Sequence, residues 1–319
     1  MTSLLRSRRD RVLAAMADAE LDVLVLGRQD DANFASGMHR LWTAGTRPFG
    51  AGCIVVRSTG RTHVLSSWDA GLPPTMSRDD LFPASWNPRI MAGHMATVPG
   101  LADARRIGVD EMSPSFGRAV ARLAPDAVVV PADVVIAAAR RLKSPDELDR
   151  IRAACVVAWR GVEAALRQSA SPDPTLGLAE AIEAMAAEGV TTPSSAPVIR
   201  RSPEGSTIDL GVMLDGYEGG VGGCFVDGRR VGADDLAMAC RPGATHADLV
   251  AAAADDWFVR GLGMGYEKPV ITPTLGVGEV LEDGMVLSVR DGDRRDVVAV
   301  TATGPVVLSQ RPHSEERST

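Results

Sequence analysis

Two matched runs, IDLGVML and YEGGVGGCFV, close on the dipeptide Asp215-Gly216, and this pair constrains the fold more than any other stretch. Asp-Gly between apolar runs signals a two-residue hairpin turn, because both turn positions need positive φ. A hairpin of this length is stable only inside a larger sheet. Its outgoing strand holds one carboxylate, Asp209, among apolar neighbours. The returning strand carries four glycines, Gly219, Gly220, Gly222 and Gly223, where a site-forming strand would place functional side chains.

The segments around the hairpin predict a layered α+β domain. Ser144-Pro145-Asp146-Glu147 reads as a capping box with proline at the first helical position, so a helix starts there. Leu148, Ile151, Cys155, Trp159, Val162 and Leu166 mark its buried stripe. A second helix over roughly 176–188 is stopped by Gly189, and a third enters through Thr245-His246-Ala247-Asp248. Strands follow around 285–290, 296–302 and 305–309.

Upstream, a helix over 3–19, with Leu5, Val12, Leu13 and Met16 on one side, runs into the strand LDVLVLG. The hairpin CIVVRS-TG-RTHVLSS and the short runs RIGVDE and AVVVP then alternate with helical patterns at 114–124 and 133–141. This order predicts an α/β domain, with the Pro-rich patch from Gly71 to Pro88 as an irregular connection. A length of 319 residues fits two such domains, with boundaries at 1–142 and 143–312 and a flexible tail at 313–319.

Composition excludes several function classes. Apolar residues at 45% and charged residues at 24% are values of folded domains. No run of about 18 apolar residues exists, and the N-terminus turns polar before a signal core develops, so a cytoplasmic protein is expected. Cys53, Cys155, Cys224 and Cys240 show no metal-ligand spacing and read as buried thiols. A net charge of −7 argues against nucleic-acid and membrane partners.

The run RRLKSPDELDRIRAAC, then IDLGVMLDGY, RPGATHADL, GLGMGYEKPVI, LEDGMVLSV and VVAVTATGPVVLS resembles, in order, the creatinase and Xaa-Pro peptidase family. LDVLVLG, NFASG and RTHVLSS resemble the creatinase-type N-terminal domain. The resemblance implies an α/β N-terminal creatinase-like domain followed by an α+β pita-bread domain. This second domain is shortened, since most of one helix is reduced to GADDLAMAC.

Metallopeptidases of the family hold two metal ions through two Asp, one His and two Glu. Carried onto this chain, the first Asp falls on Asp209 and the second on Gly220; the His falls on Arg260, and the two Glu fall on Arg290 and Arg295. Arginine has no lone pair to give a metal, so no metal and no other cofactor is expected. Creatinase itself uses a His ahead of the hairpin, but the matching stretch TTPSSAPVIRRSPEGS has none.

The resemblance leaves two readings of function. The first is a metal-independent enzyme acting on a small anionic amide- or amidine-like molecule, with Asp209 or Glu267 as acid or base. Arg290, Arg260, Arg295 and Tyr217 would bind its substrate, aided by His39 and Arg47 of the N-terminal loop as lid residues. Among Arg290, Arg294 and Arg295, strand alternation points Arg290 inward and makes it the foremost candidate. Three guanidinium groups against Asp209 and Glu267 would leave one needing Asp291, Asp293, Asp296 or an outside anion. The second reading is a catalytically inactive binding or scaffold module. The assembly implied is a homodimer.

Overall fold

The computed structural model describes residues 2–38, 52–65, 72–83, 87–111, 113–190, 192–254 and 256–312. They form two compact units, Met1–Arg140 and Arg141–Thr319. His39 and Arg47, expected as lid residues, and the 313–319 tail lie outside the described residues.

The first unit opens with α1 (Ser3–Asp18), capped by the Thr2 hydroxyl, which accepts from the Leu5 N–H. Its buried row is Leu4, Arg8, Val12 and Met16, with Leu5 and Leu13 half-buried on its flanks. Then come β1 (Val23–Leu26), α2 (Gln29–Ser36), β2 (Cys53–Val56), β3 (Arg61–Leu65), β4 (Leu81–Phe82) and α3 (Pro88–Met95). The unit closes with β5 (Arg106–Val109), α4 (Pro114–Leu123), β6 (Val128–Pro131) and α5 (Asp133–Arg141). Its sheet runs β4-β3-β2-β1-β5-β6, parallel across β1, β5 and β6 and antiparallel across β1, β2 and β3. The Pro-rich patch is irregular only in part, because it supplies β4 and leads into α3.

In the second unit, α6 (Pro145–Arg167) begins as predicted. Ser144 Oγ accepts from the Glu147 N–H, and Glu147 Oε2 accepts from the Ser144 N–H at 2.9 Å. Ile151, Cys155, Trp159 and Val162 are buried, with Leu148 and Leu166 half-buried at the ends of the stripe. Next come α7 (Pro174–Ala187), β7 (Val198–Ser202), β8 (Gly205–Leu214), β9 (Tyr217–Val226) and β10 (Arg229–Val231). They are followed by α8 (Asp235–Ala239), α9 (His246–Ala252), β11 (Trp257–Gly263), β12 (Gly265–Ile271), β13 (Val286–Asp291), β14 (Arg294–Thr301) and β15 (Gly304–Val307). A single antiparallel sheet results, ordered β12-β11-β13-β14-β9-β8-β7, with β10 on β9 and β15 on β14.

The β8–β9 hairpin closes at Asp215 (φ 49°) and Gly216 (φ 82°), the paired positive φ values that the Asp-Gly signal demands. Helix α6 lies on its outer face, where Ile208, Leu210, Val212, Val221 and Phe225 pack with Ala154, Ala158 and Val162. Gly219 permits the close approach: a Cβ there would sit 2.5 Å from the Ala154 backbone. Cys53, Cys155 and Cys240 are buried and Cys224 half-buried, all as free thiols. No helix among the described residues is long and apolar enough to cross a membrane.

Candidate functional site: an arginine–carboxylate network

Successive residues of a strand face opposite sides of the sheet, so the four glycines divide into two pairs. Gly220 and Gly222 share a face with Asp209 and Gly211, their cross-strand partners, since Gly211 pairs with Gly220 and Asp209 with Gly222. Arg295 of β14 pairs with Gly222, and its side chain runs over these bare positions. A Cβ at Gly220 would lie 2.5 Å from Arg295 Nη2 and 2.8 Å from its Cζ, while one at Gly222 would lie 2.9 Å from Arg295 Cβ. The glycines therefore make room for a guanidinium.

Arg295 is 4% exposed. Its Nη2 stands 2.8 Å from Asp209 Oδ1, and its Nη1 donates to Ser195 Oγ at 3.2 Å. Arg290 lies directly across from Arg295 in the β13–β14 pair and donates through Nη2 to Asp209 Oδ2. Two like charges facing each other across a ladder repel. Asp209 offsets this by taking one guanidinium on each oxygen. Burial depresses the Arg295 pKa, while Asp209 and Glu218 act to raise it and Arg290 and Arg260 to lower it. All five groups thus belong to one electrostatic cluster.

Glu218 is the residue that sequence reasoning missed. Only 2% exposed, it accepts from Arg260 Nη2 at 2.5 Å. The signal was available: two positions before Gly220, strand phase puts Glu218 on the same face. Arg260 also donates to the Gly261 carbonyl at 3.1 Å and lies 5.0 Å from the Tyr266 ring centroid. A register shift between Arg260 and Gly261 marks the strand at this point.

Several expectations require correction. Arg290 reaches Asp209, but its side chain is 44% exposed against 5% for Arg295, so the deeply inward arginine is Arg295. Arg290 sits one residue from the end of β13, between Phe258 of β11 and Arg295 of β14. One of the three guanidinium groups was expected to need a further partner, and Glu218, outside the expected carboxylates, pairs with Arg260. Asp291 accepts from the Ala254 N–H, Asp293 pairs with Arg200, and Asp296 with Arg230 and Arg294. Glu267 joins a separate buried pair with Lys143 at 2.7 Å and accepts from the Met264 N–H at 3.1 Å. Tyr217 has no exposed surface, and its hydroxyl donates to Glu147 Oε1 at 3.1 Å, so it serves packing. Among the described residues, no three His, Cys, Asp or Glu side chains converge where they could hold a metal ion.

Residues 8–142 match the model of the creatinase/prolidase N-terminal domain. No curated protein matches the sequence. Among solved structures, the prolidase from Pyrococcus horikoshii OT3 superposes with a TM-score of 0.72 at 14% identity, over 96% of this chain and 99% of that one. The prolidase from Pyrococcus furiosus gives 0.70 at 17% identity, over 95% and 99%. The dipeptidase PepE from Mycobacterium ulcerans gives 0.67 at 19% identity, over 98% and 97%. Residues 8–142 thus match a creatinase/prolidase N-terminal domain, and the chain shares the two-domain fold of solved prolidases and dipeptidases.

Proposed function

We propose that this chain is a metal-free binding module built on the prolidase fold, and not a peptidase. One observation carries the reading: the Arg295 guanidinium lies against Gly220 and Asp209, in the space where the family's pattern sets two metal ions. The residues at the five ligand positions do not fit a metal pair, because four are glycine or arginine and offer no lone pair. The carboxylates facing this space, Asp209 and Glu218, already have cationic partners within the chain. Each carboxylate of the network is already paired with arginine, which disfavours either as a general base. A two-fold homodimer is the assembly we propose, the commonest closed arrangement of oligomers.

A second reading, a metal-independent enzyme for a small anionic amide- or amidine-like molecule, is favoured by one feature. Arg290 is 44% exposed at the edge of the network and shares Asp209 with Arg295. An incoming carboxylate would compete with Asp209 for it and free an acid–base group. Thermal melting with small mono- and dicarboxylates, in the wild type and Arg290→Ala, separates the two. The binding-module reading expects no carboxylate effect beyond that of chloride at equal ionic strength. Stabilisation seen in the wild type and lost in Arg290→Ala would move the assignment to the enzyme.

A further inference from the structure

The opposite face of the same sheet holds a second set of arginines. Arg295 faces Asp209, so the next residue of β14, Asp296, faces the other way. There a cavity of about 320 Å³ is lined by Arg229, Arg230, Arg294 and Arg311 with Asp234 and Asp296. Four guanidinium groups meet Asp234 and Asp296, with Glu163 paired to Arg311, which leaves an excess of one positive charge.

Asp296 is 1% exposed and fully engaged. Its Oδ1 takes Arg230 at 2.6 Å and the Ser309 hydroxyl at 2.9 Å, and its Oδ2 takes Arg294 Nε at 2.7 Å. Burial works to raise its pKa, but Arg230 and Arg294 outweigh that and hold it below the ordinary value. One negative charge therefore serves two half-buried arginines. Asp234 adds little, being half exposed and 3.9 Å from Arg294.

At the rim, Arg311 uses Nε and Nη2 on Glu163, which leaves its Nη1 out of that pair. Arg229 is exposed and forms no ion pair with any of the described residues. Arg230 is fixed in place, its side chain 11% exposed and lying over Gly223, where a Cβ would sit 3.0 Å from its Cγ. An arginine held in place, with the exposed Arg229 and Arg311 also lining the cavity, is a set of N–H donors suited to an anion such as phosphate.

We propose that this cavity binds a phosphate group. Its excess positive charge suits an anion, and its volume exceeds a bare phosphate, leaving room for a small organic substituent. This site is independent of the reading given to the Asp209 face. Calorimetric titration of the full chain with inorganic phosphate and with glycerol 3-phosphate, in a constant chloride background, tests it. Binding is expected for at least one of them. The Arg229→Ala/Arg311→Ala double variant, whose changes are both on exposed side chains, should bind about tenfold or more weakly. Arg290→Ala should bind as the wild type does. Preference for glycerol 3-phosphate would identify a site for phosphate esters, and equal binding a site for the free ion. Absence of binding by both at about 10 mM, or an unchanged affinity in the double variant, would overturn the proposal.

Discussion

Replacing Arg295 with alanine is expected to destabilise the second unit by about 3–5 kcal/mol, the cost of breaking a buried ion pair from one side. The substitution removes a side chain that is 5% exposed and opens space over Gly211, Gly220 and Gly222. It also leaves Asp209, 7% exposed, with only the partly exposed Arg290 as its cationic partner. Removing Asp209 instead leaves Arg290 and Arg295 face to face, with two like charges across one ladder position. Both single variants should therefore lose stability heavily. The pair Asp209→Leu/Arg295→Met should lose less than the two losses combined, because an apolar pair of similar volume carries no desolvation penalty. Urea unfolding followed by circular dichroism measures all three. An Arg295→Ala variant within about 0.5 kcal/mol of the wild type would show that the arginine is not filling the site.

The Lys143–Glu267 pair should behave similarly, for a different structural reason. Both side chains are almost fully buried, at 2% and 6% exposure. Gly263 clears the space for them, since a Cβ there would meet Lys143 Cε at 2.7 Å. The pair joins the residue just before the α6 capping box to strand β12. Glu267→Ala takes the carboxylate from a buried ammonium and is expected to cost about 3–5 kcal/mol. Lys143→Met in the Glu267→Leu background should recover part of that loss. A Glu267→Ala variant of wild-type stability would instead be the behaviour of a residue kept for chemistry, and would return Glu267 to the acid–base role that its motif suggests.

Much of the architecture was legible from local signals. Ser144 to Glu147 start α6 where the capping box places it, and Asp215-Gly216 turns the β8–β9 hairpin with the required positive φ values. Both depend on contacts within a few residues, so sequence alone suffices. The missed elements are those whose stability comes from neighbours. Strands β7 and β10 are short and gain their order by pairing with β8 and β9. Strands β11 and β12 carry three glycines and a proline, which blur the period-2 pattern until β13 pairs with β11 and fixes it.

The site was half legible. Asp209 and the missing side chain at Gly220 stood out in one dimension. That Arg295 fills the gap depends on β14 lying beside β9, a pairing between segments about seventy residues apart that no local pattern encodes. Alternation favoured Arg290 over Arg295, although the turn between β13 and β14 makes the two direct partners on one face. Both lie between two strands, but Arg295 runs over the bare glycines of β9 while Arg290 stands near the end of β13. Glu218 pairs with Arg260 only once β11 lies near β9, a contact the local sequence around the glycines does not encode.

Metal content tests the central claim most directly. Purified protein incubated with excess Mn²⁺ or Co²⁺, desalted and submitted to elemental analysis, is predicted to retain no stoichiometric metal. Asp209 alone among the five ligand positions can donate to an ion, and both of its oxygens already face arginines. Retention of about one or two ions per chain, lost in Asp209→Ala, would contradict the account, since only a working metal centre gives that result.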